Sequence, residues 1–241
     1  MSSSGGWDSD GLVTRMPDIE QIAPGLLRLP LQWLDAMNAY VLGDVLVDSG
    51  TRRAAGKLLR ALEGQTIVAH AVTHAHFDHQ GATHAVCQGL GIPLWCGDGE
   101  RAALESGDLS RVLSPSRPLL AGLSRVLGGP AHPVERTLRE GDEVGGFTVI
   151  ETPGHTPGHL AFWRESDGAL VLGDVLFQRN PVTMRLALQE PFRMATVDPS
   201  RNRDSARRLA DLRPSVICFG HGPPLRDGDL FARFVSGLRR D

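Results

Sequence analysis

Apolar residues along the chain recur with two periods, one of two residues and one of three to four, and the switches between them lay out a succession of strands and helices. From residue 25 to 48 the pattern is strand-like, and Tyr40-Val41-Leu42-Gly43-Asp44-Val45-Leu46-Val47-Asp48 predicts a hairpin turning at Gly43-Asp44. Ala55, Leu58, Leu59 and Leu62 stand at helical spacing and predict a helix over 52–62, with a buried strand over 66–72 after it. A helix over 81–89, a short strand over 92–96 and a loosely helical stretch over 97–130, broken by Pro115, Pro118 and Gly128-Gly129, complete the first half. In the second half strands are expected at 135–138, 147–151, 160–163, 169–172 and 215–219, and helices at 201–212 and 227–239. Residues 177–197 read as irregular. The hexapeptide Val-Leu-Gly-Asp-Val-Leu stands at both 41–46 and 171–176, which two tight strand ends explain as well as an internal duplication does.

The polar residues that stand out lie at the ends of these apolar strands. Thr73-His74-Ala75-His76-Phe77-Asp78-His79 offers three imidazoles and a carboxylate. In an extended segment alternate side chains leave the same face, so His74 and His76 can address one ion. Asp78 and His79 lie past a turn and can face a neighbouring point. Downstream, His155 sits in the loop Thr152-Pro153-Gly154-His155-Thr156-Pro157-Gly158-His159, Asp174 at a strand end, and His221 in Gly220-His221-Gly222-Pro223-Pro224. Imidazole and carboxylate donors suit zinc, iron or manganese without any thiolate, and the set is large enough for two ions.

Composition narrows the setting. The 241 residues suit one domain over 22–241 behind an amino-terminal tail over 1–21 that is rich in Ser, Gly and Asp and expected to be disordered. With 41% hydrophobic and 22% charged residues and a formal net charge of -3, the chain reads as an ordinary soluble protein with no nucleic-acid partner. The arginines of 201–208 are interleaved with acids and read as a solvated helix face. Lys57 is the only lysine, which leaves Schiff-base chemistry one poor candidate. Cys87, Cys96 and Cys218 are odd in number and form no C-x-x-C pair, so they are expected in the core. No apolar run reaches the length of a signal peptide or a membrane span, and the expected setting is cytoplasmic, without a membrane partner. Neither a G-x-S-x-G elbow nor a P-loop is present.

Taken in order, T-H-A-H-F-D-H at 73–79, T-P-G-H-T-P-G-H at 152–159, L-G-D at 172–174 and F-G-H-G-P at 219–223 resemble the metallo-beta-lactamase superfamily, over residues 25 to 224. The resemblance implies a four-layer αββα sandwich, two mixed sheets flanked by helices. It also implies that His74, His76 and His155 bind one metal, Asp78, His79 and His221 a second, and that Asp174 bridges both. The ions are two divalent transition metals, with zinc expected and iron or manganese compatible with the same donors. The implied activity is that of a dinuclear metal-dependent hydrolase that uses a metal-bound hydroxide on a small ester, lactone or thioester. Asp78 is the candidate catalytic side chain, orienting the hydroxide and helping to protonate the leaving group.

Other residues take supporting parts under this reading. His159 resembles the second histidine of the family's G-H-T-x-G-H motif and is expected to steady the His155 loop. Asp48, in Val47-Asp48-Ser49-Gly50, is expected to cap the following helix or support the site from behind. His70, His84 and His132 are expected to be structural or solvated, and residues 178–192, with Met184, Leu186, Leu188 and Phe192, and 31–37, with Trp33, are candidate pocket walls.

Departures from known branches of the family direct the choice of substrate. Asp174 stands where some beta-lactamases supply a cysteine ligand, only about twenty residues follow His221 where glyoxalase II carries a glutathione-binding region, and the only tyrosine is Tyr40, whereas many acyl-homoserine lactonases use one beyond the bridging aspartate. Two alternatives stay open: a persulfide dioxygenase-like oxidoreductase with a single iron on His74, His76, His155 and Asp174, and a beta-lactam hydrolase. Oligomeric state is left open.

Overall fold

Tyr40 and Leu42 face one way and Ala39 and Val41 the other, and this alternation, repeated strand by strand, decides the architecture. The structure is a computed structural model and describes residues 19–113 and 128–239. Strands β1 (Glu20–Ala23), β2 (Leu26–Pro30), β3 (Asn38–Leu42), β4 (Val45–Val47), β5 (Ala69–Ala71), β6 (Leu94–Gly97) and β7 (Arg136–Leu138) form one sheet in chain order. It is antiparallel as far as β4 and parallel from there to β7. The next strands are β8 (Glu143–Val144), β9 (Phe147–Glu151), β10 (Leu160–Arg164), β11 (Ala169–Val171), a separate hairpin of β12 (Phe177–Arg179) and β13 (Leu186–Gln189), and β14 (Val216–Cys218). The second sheet has the order β14-β11-β10-β9-β8 and is parallel only between β11 and β14.

The inner faces of the two sheets share one core, in which Tyr40, Leu42, Val45 and Val47 meet Phe147, Val149, Phe162 and Val171. Complete burial of Phe147 and Phe162 contributes about 1.5–3 kcal/mol each. The outer face of the first sheet, with Val41 and Leu46, packs on helices α1 (Ala55–Ala61), α3 (Thr83–Leu90) and α4 (Asp98–Ser106) through Leu58, Val86 and Leu104; the short α2 (Phe77–Gln80) precedes α3. The outer face of the second sheet, with Leu170 and Ile217, packs on α5 (Pro199–Asp211) and α6 (Gly228–Ser236) through Ala206, Leu209, Phe231 and Val235. Helices, sheet, sheet, helices is the four-layer αββα sandwich that the motifs imply.

Several boundaries move for physical reasons. The expected strand at 66–72 keeps only β5, because Val68 is half exposed before the chain enters the sheet. Segment 177–197 is not wholly irregular, since it contains the β12/β13 hairpin. Helix α5 begins before residue 201: the Asp198 carboxylate accepts from the Arg201 N–H, and Pro199 occupies the first turn, where its missing N–H does no harm. Glu20 and Gln21, expected in the tail, belong to β1, and the Arg28 guanidinium pairs with Glu20 at 2.6 Å. Residues 1–18 of that tail, and Pro115 and Pro118, lie outside the described residues. No described helix is long and apolar enough to cross a membrane. All three cysteines are buried, and burial pushes the Cys87 and Cys218 thiols up to about 12.

His70, on β5, is fully buried between the Leu46 carbonyl and the Thr83 hydroxyl, and burial pushes its pKa down to about 4. Its unfolded value is near 6.5, so the folded chain resists protonating it. The stability this neutral ring contributes is complete above pH 6.5 and is lost as pH falls from there to about 4. The shift corresponds to about 3 kcal/mol. Urea midpoints of metal-free protein across that window are expected to fall with pH, and less steeply in His70→Gln.

Candidate metal centre

Parallel strands bring their carboxyl ends to a common edge, and the polar residues singled out in the sequence collect there. The chain leaving β4 carries Asp48, and that leaving β5 carries His74 and His76 before α2 presents Asp78 and His79. The β9–β10 loop carries His155, the end of β11 leads to Asp174, and the end of β14 to His221. Three overlapping groups of donors result, His74/His76/His155, His74/His79/Asp174 and Asp78/His79/His221, with the donor atoms of each within 4.8 Å of one another. All seven predicted ligands are brought together.

Asp174 lies at the centre. Its Oδ2 is 3.1 Å from His221 Nε2, 3.3 Å from His79 Nε2, 3.6 Å from His155 Nε2 and 3.8 Å from His74 Nε2. His221 Nε2 is also 3.5 Å from Asp78 Oδ2. Burial drives His74 and His155 well below the usual imidazole range, with neighbouring imidazoles adding to it. Burial acts the same way on His79, but Asp174 and Asp48 outweigh it and hold that ring well above its ordinary value. Burial would raise Asp174, yet His221 and His79 keep it well below the carboxylate range.

The outer nitrogen of every ring is fixed by an oxygen, and this decides where the lone pairs point. His76 Nε2–H donates to the Val112 carbonyl and His221 Nδ1–H to the Ala36 carbonyl. His79 Nδ1–H donates to Asp48 at 2.8 Å. The Thr73 hydroxyl spends its proton on Asp48 and so accepts from His74 Nδ1–H; the Thr196 hydroxyl spends its own on the Phe192 carbonyl and accepts from His155 Nδ1–H. The opposite nitrogens of all five rings therefore turn inward, and His79 and His221 present lone pairs there once a metal ion displaces the protons that Asp174 favours. His76 Nδ1 and His155 Nε2 come within 3.0 Å, close to the roughly 3.3 Å edge of a tetrahedral shell with ~2.05 Å bonds. His74 Nε2, His79 Nε2 and Asp174 Oδ1 are buried without any hydrogen-bond partner. Buried polar atoms left orphaned cost free energy unless a cation meets them, and this donor set suits divalent metal ions.

His159 is placed otherwise. Its Nε2 accepts the Asp174 backbone N–H at 3.1 Å, its Nδ1–H donates to the Thr152 hydroxyl, and burial pushes its pKa down to about 3. With both nitrogens engaged it holds Asp174 and the loop rather than an ion. Gly173 takes a φ of 56°, and a Cβ there would sit 2.8 Å from His159 Nε2, so this contact needs glycine. Asp48 supports the site from behind, accepting from the Thr73 N–H at 2.7 Å as well as from His79; it caps no helix. His84 and His132 pair with each other outside the site.

Glu100 had no recognisable signature in the sequence. Buried at the start of α4, it accepts the Ala75 N–H through Oε2 and the Gly158 N–H through Oε1, and so ties the His74–His76 segment to the His155 loop. Burial raises its pKa.

Beside the donors opens a cavity of about 520 Å³. Phe192 lines it as expected, but Met184, Leu186 and Leu188 do not; Leu188 packs instead against the core beneath α5 and α6. Trp33 is 79% exposed and is not a wall, and Met37 lines the cavity in its place.

The sequence profile of the metallo-beta-lactamase superfamily matches residues 34–221. Probable metallo-hydrolase YflN of Bacillus subtilis (strain 168) is 30% identical over 205 residues, 75% of this chain and 76% of that protein. Hydroxyacylglutathione hydrolase of Rhodospirillum rubrum is 32% identical over 120 residues, 47% of this chain and 36% of that protein. Among solved structures, TTHA1623 in a di-iron-bound form superposes with a TM-score of 0.66 at 31% identity, covering 86% of this chain and 96% of that one. TTHA1429 of Thermus thermophilus, a metallo-beta-lactamase family protein, does so with a TM-score of 0.66 at 28% identity, covering 89% and 79%. With seven histidine and aspartate donors gathered at one edge of an αββα sandwich, and with these similarities, the chain belongs to the metallo-beta-lactamase superfamily, and several of its relatives are named probable metallo-hydrolases.

Proposed function

We propose that this protein is a dinuclear metal-dependent hydrolase of small esters, lactones or thioesters. The observation that carries the reading is the inward turn of five imidazole nitrogens around Asp174, with three buried donor atoms left unpartnered. His74, His76 and His155 would hold one ion, Asp78, His79 and His221 the other, and Asp174 would touch both. Bound there, the ions would supply a coordinated water of lowered pKa and a Lewis acid for the substrate carbonyl. Zinc is the expected metal; the di-iron form of TTHA1623 makes iron the first alternative to test.

Asp78 is assigned the proton. Its side chain is 17% exposed and lines the cavity, where a carboxylate can accept a proton from the nucleophile and return it to the leaving group. Phe77 and Phe177 line the same cavity, and the Phe177 ring lies edge-on to His221 at 4.6 Å. Elemental analysis of protein purified without added metal is expected to give two transition-metal ions per chain. Chelation is expected to abolish ester or thioester hydrolysis and added zinc, manganese or iron to restore it. One iron per chain, with no second ion taken up on titration, would point instead to the oxidoreductase alternative.

A further inference from the structure

The walls of the cavity differ in kind from its floor. The floor is polar, made by His76, Asp78, His155, Asp174 and His221. The walls are Met37, Leu113, Phe177, Val182, Phe192 and Met194, and no lysine or arginine among the described residues lines them. Asn180 and Thr183 are polar wall residues; the Asn180 amide oxygen already accepts the Val182 and Thr183 N–H groups, and one of its two amide N–H groups donates to Gln189. Arg179, next to it in sequence, donates to the Met184 carbonyl and does not line the cavity. Val182, 76% exposed, and Met194, 42% exposed, place apolar side chains at its mouth.

Resting on the hydrolase reading above, we infer that the substrate's acyl group is apolar and uncharged, and that an acyl group ending in a carboxylate is turned away. The scissile carbonyl belongs at the polar floor, so the remainder of the acyl group lies along the walls. Each methylene buried there favours binding by about fourfold. Among the described wall residues a carboxylate in the same place gives up its water and meets no cation, with only the Thr183 hydroxyl and one Asn180 N–H as donors, which weakens binding by at least about tenfold. This preference separates the chain from hydrolases of anionic substrates such as β-lactams, whose carboxylate finds no cation among the described wall residues.

Binding and turnover test the inference separately. Calorimetry on zinc-loaded protein compares N-phenylhexanamide with N-phenyladipamic acid, non-hydrolysable amides of equal chain length that differ in a terminal methyl or carboxylate. The hexanamide is expected to bind at least about tenfold more tightly. Val182→Arg, a change at an exposed position, is expected to narrow that gap by about tenfold by giving the carboxylate a partner. Equal or tighter binding of the acid, no binding of either amide, or an unchanged gap in the variant would overturn the inference. The matching p-nitrophenyl esters then report on the chemistry: amide binding with the expected preference but no hydrolysis of either ester would sink the hydrolase reading and leave the preference of the cavity standing.

Discussion

Asp174→Ala is expected to give a folded protein that retains neither ion tightly and hydrolyses its substrate on the order of 10⁴-fold more slowly. Four imidazole nitrogens lie within 3.8 Å of its Oδ2, whereas Asp78 pairs with His221 and Asp48 with His79. Its negative charge is what offsets the rings of His79 and His221, both of which it raises above where burial would put them. Without it, two ions held on the five inward nitrogens would lose the negative charge at the centre of the group and repel each other. Asp174→Asn keeps the shape and removes the charge, so a loss of similar size in that variant assigns the effect to electrostatics. His159→Ala is the contrast: it removes only the acceptor of the Asp174 N–H and is expected to cost roughly 10–100-fold with both ions still bound. Metal content and turnover of the variants decide the matter. Two tightly held ions and near-normal hydrolysis in Asp174→Ala would refute the central role of this carboxylate.

The sequence exposes those parts of the site that depend on local spacing. Alternation in 40–47 sorts Tyr40, Leu42, Val45 and Val47 onto the inner face and Val41 and Leu46 onto the outer, which is enough to call for layers on both sides of the sheet. His74, His76, Asp78 and His79 are legible for the same reason, being fixed by one strand end and one turn of helix. The groups that aim the rings are not legible. Val112 O, Thr196 and Ala36 O lie 36, 41 and 185 residues from the histidines they hold, and a backbone carbonyl leaves no mark on composition. Glu100 is hidden likewise: an acidic residue at a helix start reads as a favourable charge near the helix dipole, whereas here both its oxygens bind loops. The β12/β13 hairpin escapes because its strands are short, half exposed and joined through residues 180–185, so no regular alternation survives. That hairpin supplies much of the cavity wall. The ligands are therefore set locally and the pocket by long-range packing.

His221→Ala is expected to remove one ion and leave the other, with one metal per chain and hydrolysis slower by on the order of 10³-fold. His221 belongs to the Asp78/His79/His221 group alone, and its ring is held from behind by the Ala36 carbonyl and edge-on by Phe177 at 4.6 Å. The other ion's ring donors, His74, His76 and His155, are anchored through Thr73, Val112 and Thr196, whereas His221 is anchored through Ala36. His74 and His79 share the Asp48–Thr73 pair and both groups share Asp174, whereas the His221 ring thus has supports of its own. That independence makes the variant informative, because a protein that works with a single ion would lose neither metal nor rate when His221 is removed. Titration of the metal-free variant, followed by elemental analysis, separates the outcomes. One ion bound and a large loss of rate fits two cooperating ions; unchanged metal content and unchanged turnover would show that the second group of ligands is complete in geometry but idle in the reaction.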